Sequence, residues 1–462
     1  SAALGDGFPG VAEGGARAGA RTDPPPGLAT APPGPATVSP GSGTVSPGPA
    51  TVLPGSGTVS PGPATAPPGP GTVPPGSGTV PPGSVASLAG RHDVGLRLGR
   101  LGRWTEAGEV HRAVAAERER VLGPDHPDTL ASRYEAAFVL SRTGDPADAL
   151  RAYKKVAEAR IRVLGADHPD TLAARQEMAY VLGRLGRHAD AHQVYTVVLA
   201  ARERTMGADH PDTLRCRHNL AFNLGRLDRW ADAHRMADDV AGARARVLGA
   251  DHPDTLVTRY EVAYALGQLG RWQEALDTYR DVAAARTRAL GPDHPDTLAA
   301  RYETGISLGR LGRSAEALNL YRELAADRAR VLGPDHPETL RARHGTCVNL
   351  GRLGRWEDAL AESREVAAVR ARVFGPSHPD TLVSRREIAV GLGWLGRWEA
   401  ALTEYRQVAA VRDRVLGAGH PDTVAARDDE AHCLQQLGRT AEAAELHRRV
   451  ALARQWHTAN PH

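Results

Sequence analysis

The chain contains 462 residues and has a formal net charge of only +3. This balance points to neither a nucleic-acid nor a membrane partner, and no apolar run approaches the roughly 20 residues of a membrane span. Cys216, Cys347 and Cys433 are far apart and show no CxxC spacing. The cysteines therefore favour neither a disulfide framework nor a zinc site, and they fit a reducing, cytoplasmic location.

Residues 1–83 form a low-complexity arm rich in proline, glycine, serine and threonine. From Pro24 to Gly90 no residue is charged or aromatic, and seven-residue cycles such as PGSGTVS recur. A segment of this composition cannot bury enough apolar surface to offset its ordering entropy, so we expect a disordered spacer. Two alternatives stay open for the arm: a glycosylated stalk, or a ligand for modules that bind proline-rich segments.

From residue 84 to residue 462 the chain repeats a unit of 42 residues nine times. Its most regular feature is a His-Pro dipeptide, and we number the positions of the unit from this histidine. A fixed period of this length is typical of a solenoid, in which each unit buries its apolar face only by stacking on its neighbours. Eight units carry the histidine: His126, His168, His210, His252, His294, His336, His378 and His420.

Within each unit the apolar residues follow two helical patterns separated by a glycine. Leucine at position 15 belongs to the first pattern, whereas alanine at position 24 and Val or Leu at position 31 share one face of the second. Position 19 is glycine in eight of the nine units, Asp228 being the exception, and it falls where the first helix should end. The sequence therefore predicts an all-α chain of nine helical hairpins.

The segment VLGPDHPDTL, residues 121–130, is predicted to form the turn between hairpins. Its proline suits the first turn of a helix, the preceding histidine can cap that helix, and the following aspartate meets the positive end of the helix dipole. The alternative is a row of His/Asp sites for metal binding or acid–base catalysis. Equivalent histidines lie a whole unit apart without convergent partners, so we expect no catalytic residue, no metal and no cofactor.

The unit HPDTLAARYETGISLGRLGRSAEALNLYRELAADRARVLGPD resembles the tetratricopeptide repeat, in its long variety found in kinesin light chains. Small residues at position 12, such as Ala137, and tyrosines at position 28, such as Tyr153, fall where the family pattern has them. The resemblance implies a right-handed superhelical solenoid whose first helices line a concave groove that binds peptides. Bacterial repeats of this type often form the sensor end of larger signalling proteins. This chain departs from the family pattern because Tyr or His and then Glu mostly replace the asparagines of positions 9 and 10.

The residues expected to line the groove lie on the first helix of each unit. If positions 5, 8, 11, 12 and 15 pack inward, then positions 6, 9, 13, 16 and 17 share the other face. Aromatic residues at positions 9 and 13 would form a floor and arginines at position 17 a rim, which suits a segment with apolar and acidic side chains. The predicted groove residues are Tyr134, Phe138, Arg142, Tyr180, Arg184, His218, Phe222, Arg226, Tyr260, Tyr264, Tyr302, Arg310 and Arg352.

The leading functional hypothesis is a non-enzymatic scaffold or sensor that binds a peptide or protein segment in this groove, in a chain without a membrane partner. The alternatives are a self-assembling array and nucleic-acid binding through arginine columns at positions 8, 35 and 37. Acidic residues nearly match the basic ones, which makes a nucleic-acid partner a poor fit. The arginines near helix ends can reach acids of the adjoining turn, so we expect them to serve the architecture.

Overall fold

The computed structural model describes residues 85–459, and the regular secondary structure in that range is entirely α-helical. Eighteen helices in this range alternate as the first and second helices of nine hairpins, as the repeat predicts. The arm predicted for residues 1–83 lies outside the described residues, as do residues 84 and 460–462. The described residues fall into two compact units, 85–291 and 292–459. No helix in the described range is both long and apolar enough to cross a bilayer.

The unit of residues 85–291 contains five hairpins. Its first helices are α1 (Val85–Arg100), α3 (Pro127–Thr143), α5 (Pro169–Arg184), α7 (Pro211–Arg226) and α9 (Pro253–Gln268). Its second helices are α2 (Trp104–Leu122), α4 (Pro146–Leu164), α6 (His188–Met206), α8 (Trp230–Leu248) and α10 (Trp272–Leu290).

The unit of residues 292–459 contains four hairpins. Its first helices are α11 (Pro295–Arg310), α13 (Pro337–Arg352), α15 (Pro379–Trp394) and α17 (Pro421–Gln436). Its second helices are α12 (Ser314–Leu332), α14 (Trp356–Phe374), α16 (Trp398–Leu416) and α18 (Thr440–Ala459).

The His-Pro-Asp segment caps the first helix, as the sequence predicts. At the start of α3, the Nδ1 atom of His126 accepts the backbone N–H of Asp128 at 3.2 Å, and Pro127 occupies the first helical position. The equivalent histidine makes the same contact in α5, α7, α9, α11, α13, α15 and α17. Gly123 ends α2 with a φ of 96°, and its carbonyl accepts the hydroxyl of Thr129 at 2.9 Å. The repeated motif therefore builds a turn.

The core is formed by the apolar columns that the sequence identified. In the hairpin of α3 and α4, Leu130, Ala149, Tyr153 and Val156 are all buried. The alanine of position 24 and the Val or Leu of position 31 are buried in every hairpin of the described range. Burial of each large apolar side chain contributes about 1.5–3 kcal/mol, so the column of position 31 alone holds successive helices firmly together.

Two arginine columns join successive hairpins. The buried arginine of position 35 donates to the carbonyl oxygen of residue 3 in the next unit, as Arg160 does to Asp170 at 2.7 Å. In six hairpins the exposed arginine of position 37 pairs with the aspartate that precedes the cap of its own unit, as Arg162 does with Asp125 at 3.0 Å. We expected position 35 to reach acidic side chains, but it mainly reaches the backbone, because burial brings it against the first turn of the next helix. The architectural role is confirmed for both columns.

Asp228 occupies the glycine position between α7 and α8 with a φ of 58°, the only positive φ of a non-glycine residue in the described range. A side chain with a Cβ atom is strained in this region, whereas glycine is not. Asp228→Gly should therefore raise the free energy of unfolding by about 0.5–1 kcal/mol, measured by urea denaturation. The matched control is Gly270→Asp, at the equivalent turn with a φ of 74°, which should lower it. Destabilisation by Asp228→Gly would contradict this account.

Candidate functional site

One line of positions on the first helix is partly or fully exposed in most hairpins, and we call it the open stripe: positions 6, 10, 13 and 17. These positions follow the spacing i, i+4, i+7 and i+11, which places them on one line of an α-helix. On α5 they are Ala173, Glu177, Tyr180 and Arg184, of which Arg184 is exposed, Ala173 and Tyr180 are partly buried and Glu177 is buried. Positions 9 and 16 lie to one side of this line, toward the partner helices.

The tyrosines at position 9, which we expected in the groove floor, pack instead against the tyrosine of position 28 in their own hairpin. The ring centroids lie 5.2 Å apart for Tyr260 and Tyr279, in an edge-to-face arrangement. Tyr134 contacts Tyr153 at 5.7 Å and Tyr302 contacts Tyr321 at 5.6 Å in the same way. Tyr260 and Tyr302 are only 6% and 8% exposed. They therefore form no solvent-facing platform, because position 9 is turned toward the second helix.

The arginine of position 35 lies over the other face of these rings. The guanidinium carbon is 4.8 Å from the ring centroid for Arg160 and Tyr134, and 5.1 Å for Arg286 and Tyr260. In α7 the same position holds His218, whose Nδ1 is 3.3 Å from the hydroxyl of Thr258. Burial lowers the pKa of His218 to about 3, with Arg244 adding to the effect. His218 is therefore a neutral packing residue at neutral pH.

The aromatic residues at position 13 differ in how they are covered. The tryptophan at position 21 of the preceding hairpin lies against Phe138 and Tyr264, with centroid distances of 6.1 Å from Trp104 and 5.7 Å from Trp230. Before Tyr180 and Phe222 that position holds Pro146 and His188 instead. Tyr180 is partly buried and Phe222 is 38% exposed. These two are therefore the predicted aromatics that the fold leaves uncovered by a tryptophan.

Two of the five predicted arginines at position 17 bond to the neighbouring first helix. Arg184 donates to the carbonyl of Ser141, and Arg352 donates to the carbonyl of Gly309 at 2.8 Å. Arg142 lies over the Phe138 ring, 4.9 Å from its centroid. Arg226 and Arg310 are exposed at the same position of their helices. The predicted rim is thus in part a set of contacts between hairpins.

The open stripe also contains glutamates at position 10 that the sequence analysis left out of the groove. Burial raises the pKa of Glu135 to about 7 and that of Glu261 to about 8, and it also raises the pKa of Glu177. Glu177 is 6% exposed. The helical spacing could have identified this column, since position 10 lies four residues after position 6 and three before position 13.

The described residues offer little for reactive chemistry. Cys216, Cys347 and Cys433 are buried free thiols, and burial raises the pKa of Cys216 to about 11. Among residues 85–459 no group of three or more His, Cys, Asp or Glu side chains is arranged to hold a metal ion. What the open stripe presents is an aromatic and ionisable surface suited to recognition.

The different burial of Tyr260 and Phe222 gives a prediction on stability. Tyr260→Ala should lower the free energy of unfolding by about 3–5 kcal/mol, because it removes a packed ring between two helices. Phe222→Ala should cost less than about 1 kcal/mol, since much of its ring already contacts water. Chemical denaturation followed by circular dichroism measures both. Equal losses in the two variants would show that our assignment of core and open positions is mistaken.

The raised pKa of Glu261 predicts a pH-dependent stability. A carboxyl whose pKa is near 8 when folded and 4.5 when unfolded stabilises the fold below about pH 4.5, and this contribution is lost as the pH rises through 8. Glu261→Gln should therefore remove about 1–3 kcal/mol of the stability loss that the parent protein shows between pH 5 and pH 9. Parallel urea titrations at the two pH values test this. Identical pH profiles would contradict it.

Two family models described as Tetratricopeptide repeat match the sequence. One matches residues 87–161, 134–204, 254–326 and 386–451, which together make more than half of the chain. The other matches residues 213–254 and 348–380. A comparison with curated proteins finds no match.

Solved structures share the architecture. A Podosopora anserina kinesin light chain protein with nearly identical TPR-like repeats is 27% identical, with a TM-score of 0.41 over 45% of this chain and 99% of that one. Apo RapI matches at a TM-score of 0.59 and 11% identity, over 81% of this chain and 99% of its own. The quorum sensor NprR from B. thuringiensis matches at 0.54 and 11%, over 80% and 99%. Because the first family model covers more than half of the sequence, the chain belongs to the tetratricopeptide repeat family.

Proposed function

We propose that the open stripe of α3, α5 and α7 binds an extended segment of a protein or peptide, and that the chain acts as a non-enzymatic scaffold or sensor. The observation that carries this proposal is the pair Tyr180 and Phe222, at equivalent positions of successive first helices. Both lack the tryptophan that covers Phe138 and Tyr264. Partly exposed aromatic rings on a helical surface often anchor bound protein segments.

The geometry of successive repeats suits an extended ligand. Arg184 of α5 bonds to the carbonyl of Ser141 in α3, so the two first helices lie side by side with their open stripes adjacent. An extended chain laid across them would meet Tyr180 and then Phe222. Such a segment gains affinity from apolar side chains that cover the two rings, because burial of each ring removes apolar area from water.

The family supports binding in general and leaves the ligand undefined. NprR is a quorum sensor, and at 11% identity its likeness to this chain concerns the fold. A sensory role, a cytoplasmic location and a place in a larger signalling protein are therefore parts of the proposal. The expectation of apolar side chains in the ligand rests on Tyr180 and Phe222. The expectation of acidic side chains rested on the arginines of position 17.

The arginine columns support a protein ligand over a nucleic acid. Within residues 85–291, Arg118 and Arg160 donate to backbone carbonyls, Arg162 pairs with Asp125, and Arg133 pairs with Glu119 at 2.8 Å. A nucleic-acid interface needs cations that are available to phosphates. Cations already neutralised by neighbours serve that purpose poorly.

Selection from a library of random peptides displayed on phage tests the proposal. The parent protein should enrich peptides with apolar side chains, and Tyr180→Ala with Phe222→Ala should weaken their binding by about 2 kcal/mol or more, measured by fluorescence anisotropy. Melting of the double variant should change little. The matched control is Val247→Ala, which truncates an exposed apolar side chain on the second helix α8.

The control variant should bind like the parent. No enrichment of any peptide, or affinity that survives the loss of both rings, would refute peptide binding at this surface. Light scattering of the parent protein tests the alternative of self-assembly, since a polymer that grows with concentration would support an array that stacks on itself.

A further inference from the structure

Two glutamates of the open stripe, Glu135 on α3 and Glu177 on α5, have no bonding partner. Neither carboxylate makes a hydrogen bond or an ion pair with another residue of the described range 85–459. Glu177 is 6% exposed, and its oxygens are not among the fully sealed polar atoms. Its carboxylate is therefore nearly buried, unpaired and still reachable from the open stripe. Burying a carboxylate without a hydrogen-bond donor raises the free energy of the folded protein. A bound group that donates to Glu177 would remove part of this cost.

Four arginines lie near enough to act electrostatically on the two carboxylates, and each is engaged by another group. Arg160 donates to the Asp170 carbonyl at 2.7 Å, Arg202 donates to Gln176 Oε1 at 2.7 Å, Arg215 pairs with Asp212 at 3.2 Å, and Arg142 lies 4.9 Å from the Phe138 centroid. These cations hold the hairpins together. Glu135 and Glu177 therefore receive no hydrogen bond from these arginines.

Burial outweighs these four arginines in setting the protonation of the carboxylates. Loss of water raises the pKa of Glu135 to about 7 and raises that of Glu177, although the arginines act in the opposite direction. Glu135 is thus partly protonated near neutral pH, which compensates part of the charge at this place. A bound cation would supply the same positive charge and two or more hydrogen bonds as well.

A buried amide beside Glu177 is also incompletely satisfied. Gln176 is fully buried, and its Nε2 atom has no hydrogen-bond partner in the described range. The Nε atom of Arg215, on the neighbouring α7, is likewise buried without a partner. The polar groups around Glu177 are thus incompletely satisfied in the free protein.

The same arrangement occurs separately in residues 292–459. Burial raises the pKa of Glu303 to about 7, and this carboxylate also has no hydrogen bond or ion pair in the described range. Its two nearest cations, Arg328 and Arg341, both pair with Glu338, at 3.1 Å and 2.8 Å. An unpaired glutamate at position 10 therefore occurs in both residues 85–291 and residues 292–459.

We infer that Glu135 and Glu177 hold a cationic side chain, lysine or arginine, of the segment bound by the open stripe. This rests on the proposed function, and it replaces the acidic ligand that the position 17 arginines suggested, because Arg184, beside Glu177 on α5, is bonded to the carbonyl of Ser141. An arginine is the better fit of the two, since its planar guanidinium offers five N–H donors in a fork that matches a carboxylate. The class of partner is therefore a peptide with apolar side chains and at least one basic residue.

The test compares peptides selected from a random nonapeptide library by the parent protein and by a variant with Glu135→Gln and Glu177→Gln. Sequencing should show arginine or lysine enriched at one position by the parent and not by the variant. A selected peptide is then made with arginine and with glutamine at that position. The variant should bind the arginine peptide about tenfold more weakly and the glutamine peptide within about twofold of the parent.

The matched control carries Glu109→Gln and Glu158→Gln, which remove the same charge from exposed positions on α2 and α4. It should select basic peptides like the parent. The single variant Glu135→Gln, whose melting should match the parent, should show part of the loss. No enrichment of basic residues, or an equal loss in the control, would overturn the cationic ligand while peptide binding stands. If the parent enriches no peptide at all, peptide binding and the cationic ligand fail together.

Discussion

The fold depends on the buried arginine at position 35, which ties a hairpin to the first turn of the one that follows it. Four such arginines in residues 85–291, from Arg118 to Arg244, and three in residues 292–459, from Arg328 to Arg412, are at most 5% exposed. In each of these seven the guanidinium donates to a backbone carbonyl of the following first helix. A charge buried so deeply is tolerated because it is hydrogen-bonded and, where position 9 is tyrosine, lies over an aromatic ring. The same contact therefore fixes the spacing of the repeats and the place of the residue at position 9.

This contact also decides which surface is open. Where a tyrosine occupies position 9, as in Tyr260, it is held between Arg286 on one face and Tyr279 at its edge, so it cannot face a ligand. The open stripe is then limited to positions 6, 10, 13 and 17. Position 21 of the preceding hairpin further decides whether the aromatic at position 13 is covered. Tyr180 and Phe222 follow Pro146 and His188, and this local substitution creates the candidate binding surface.

The charges of the open stripe depend on which side chains already have partners. Several arginines surround the glutamates of α3 and α5, yet these arginines are used in bonds between helices. Glu135 and Glu177 remain without donors, and burial keeps their pKa values high. The net charge of a surface is therefore a poor guide to what it binds, and the unpaired groups are the better guide.

The sequence by itself determined the period, the helical hairpins, the buried columns at positions 24 and 31 and the histidine caps, because each depends on contacts close in the chain or on simple helical spacing. His126 with Asp128 is such a local contact, and so is the glycine of the turn. Only the tertiary structure decided which side of the first helix is open. A tyrosine at position 9 faces away from water because a tyrosine and an arginine from the second helix cover it, as Tyr153 and Arg160 cover Tyr134. Helical spacing specifies which residues share a line, whereas the packing of neighbouring helices decides which of those lines meets water.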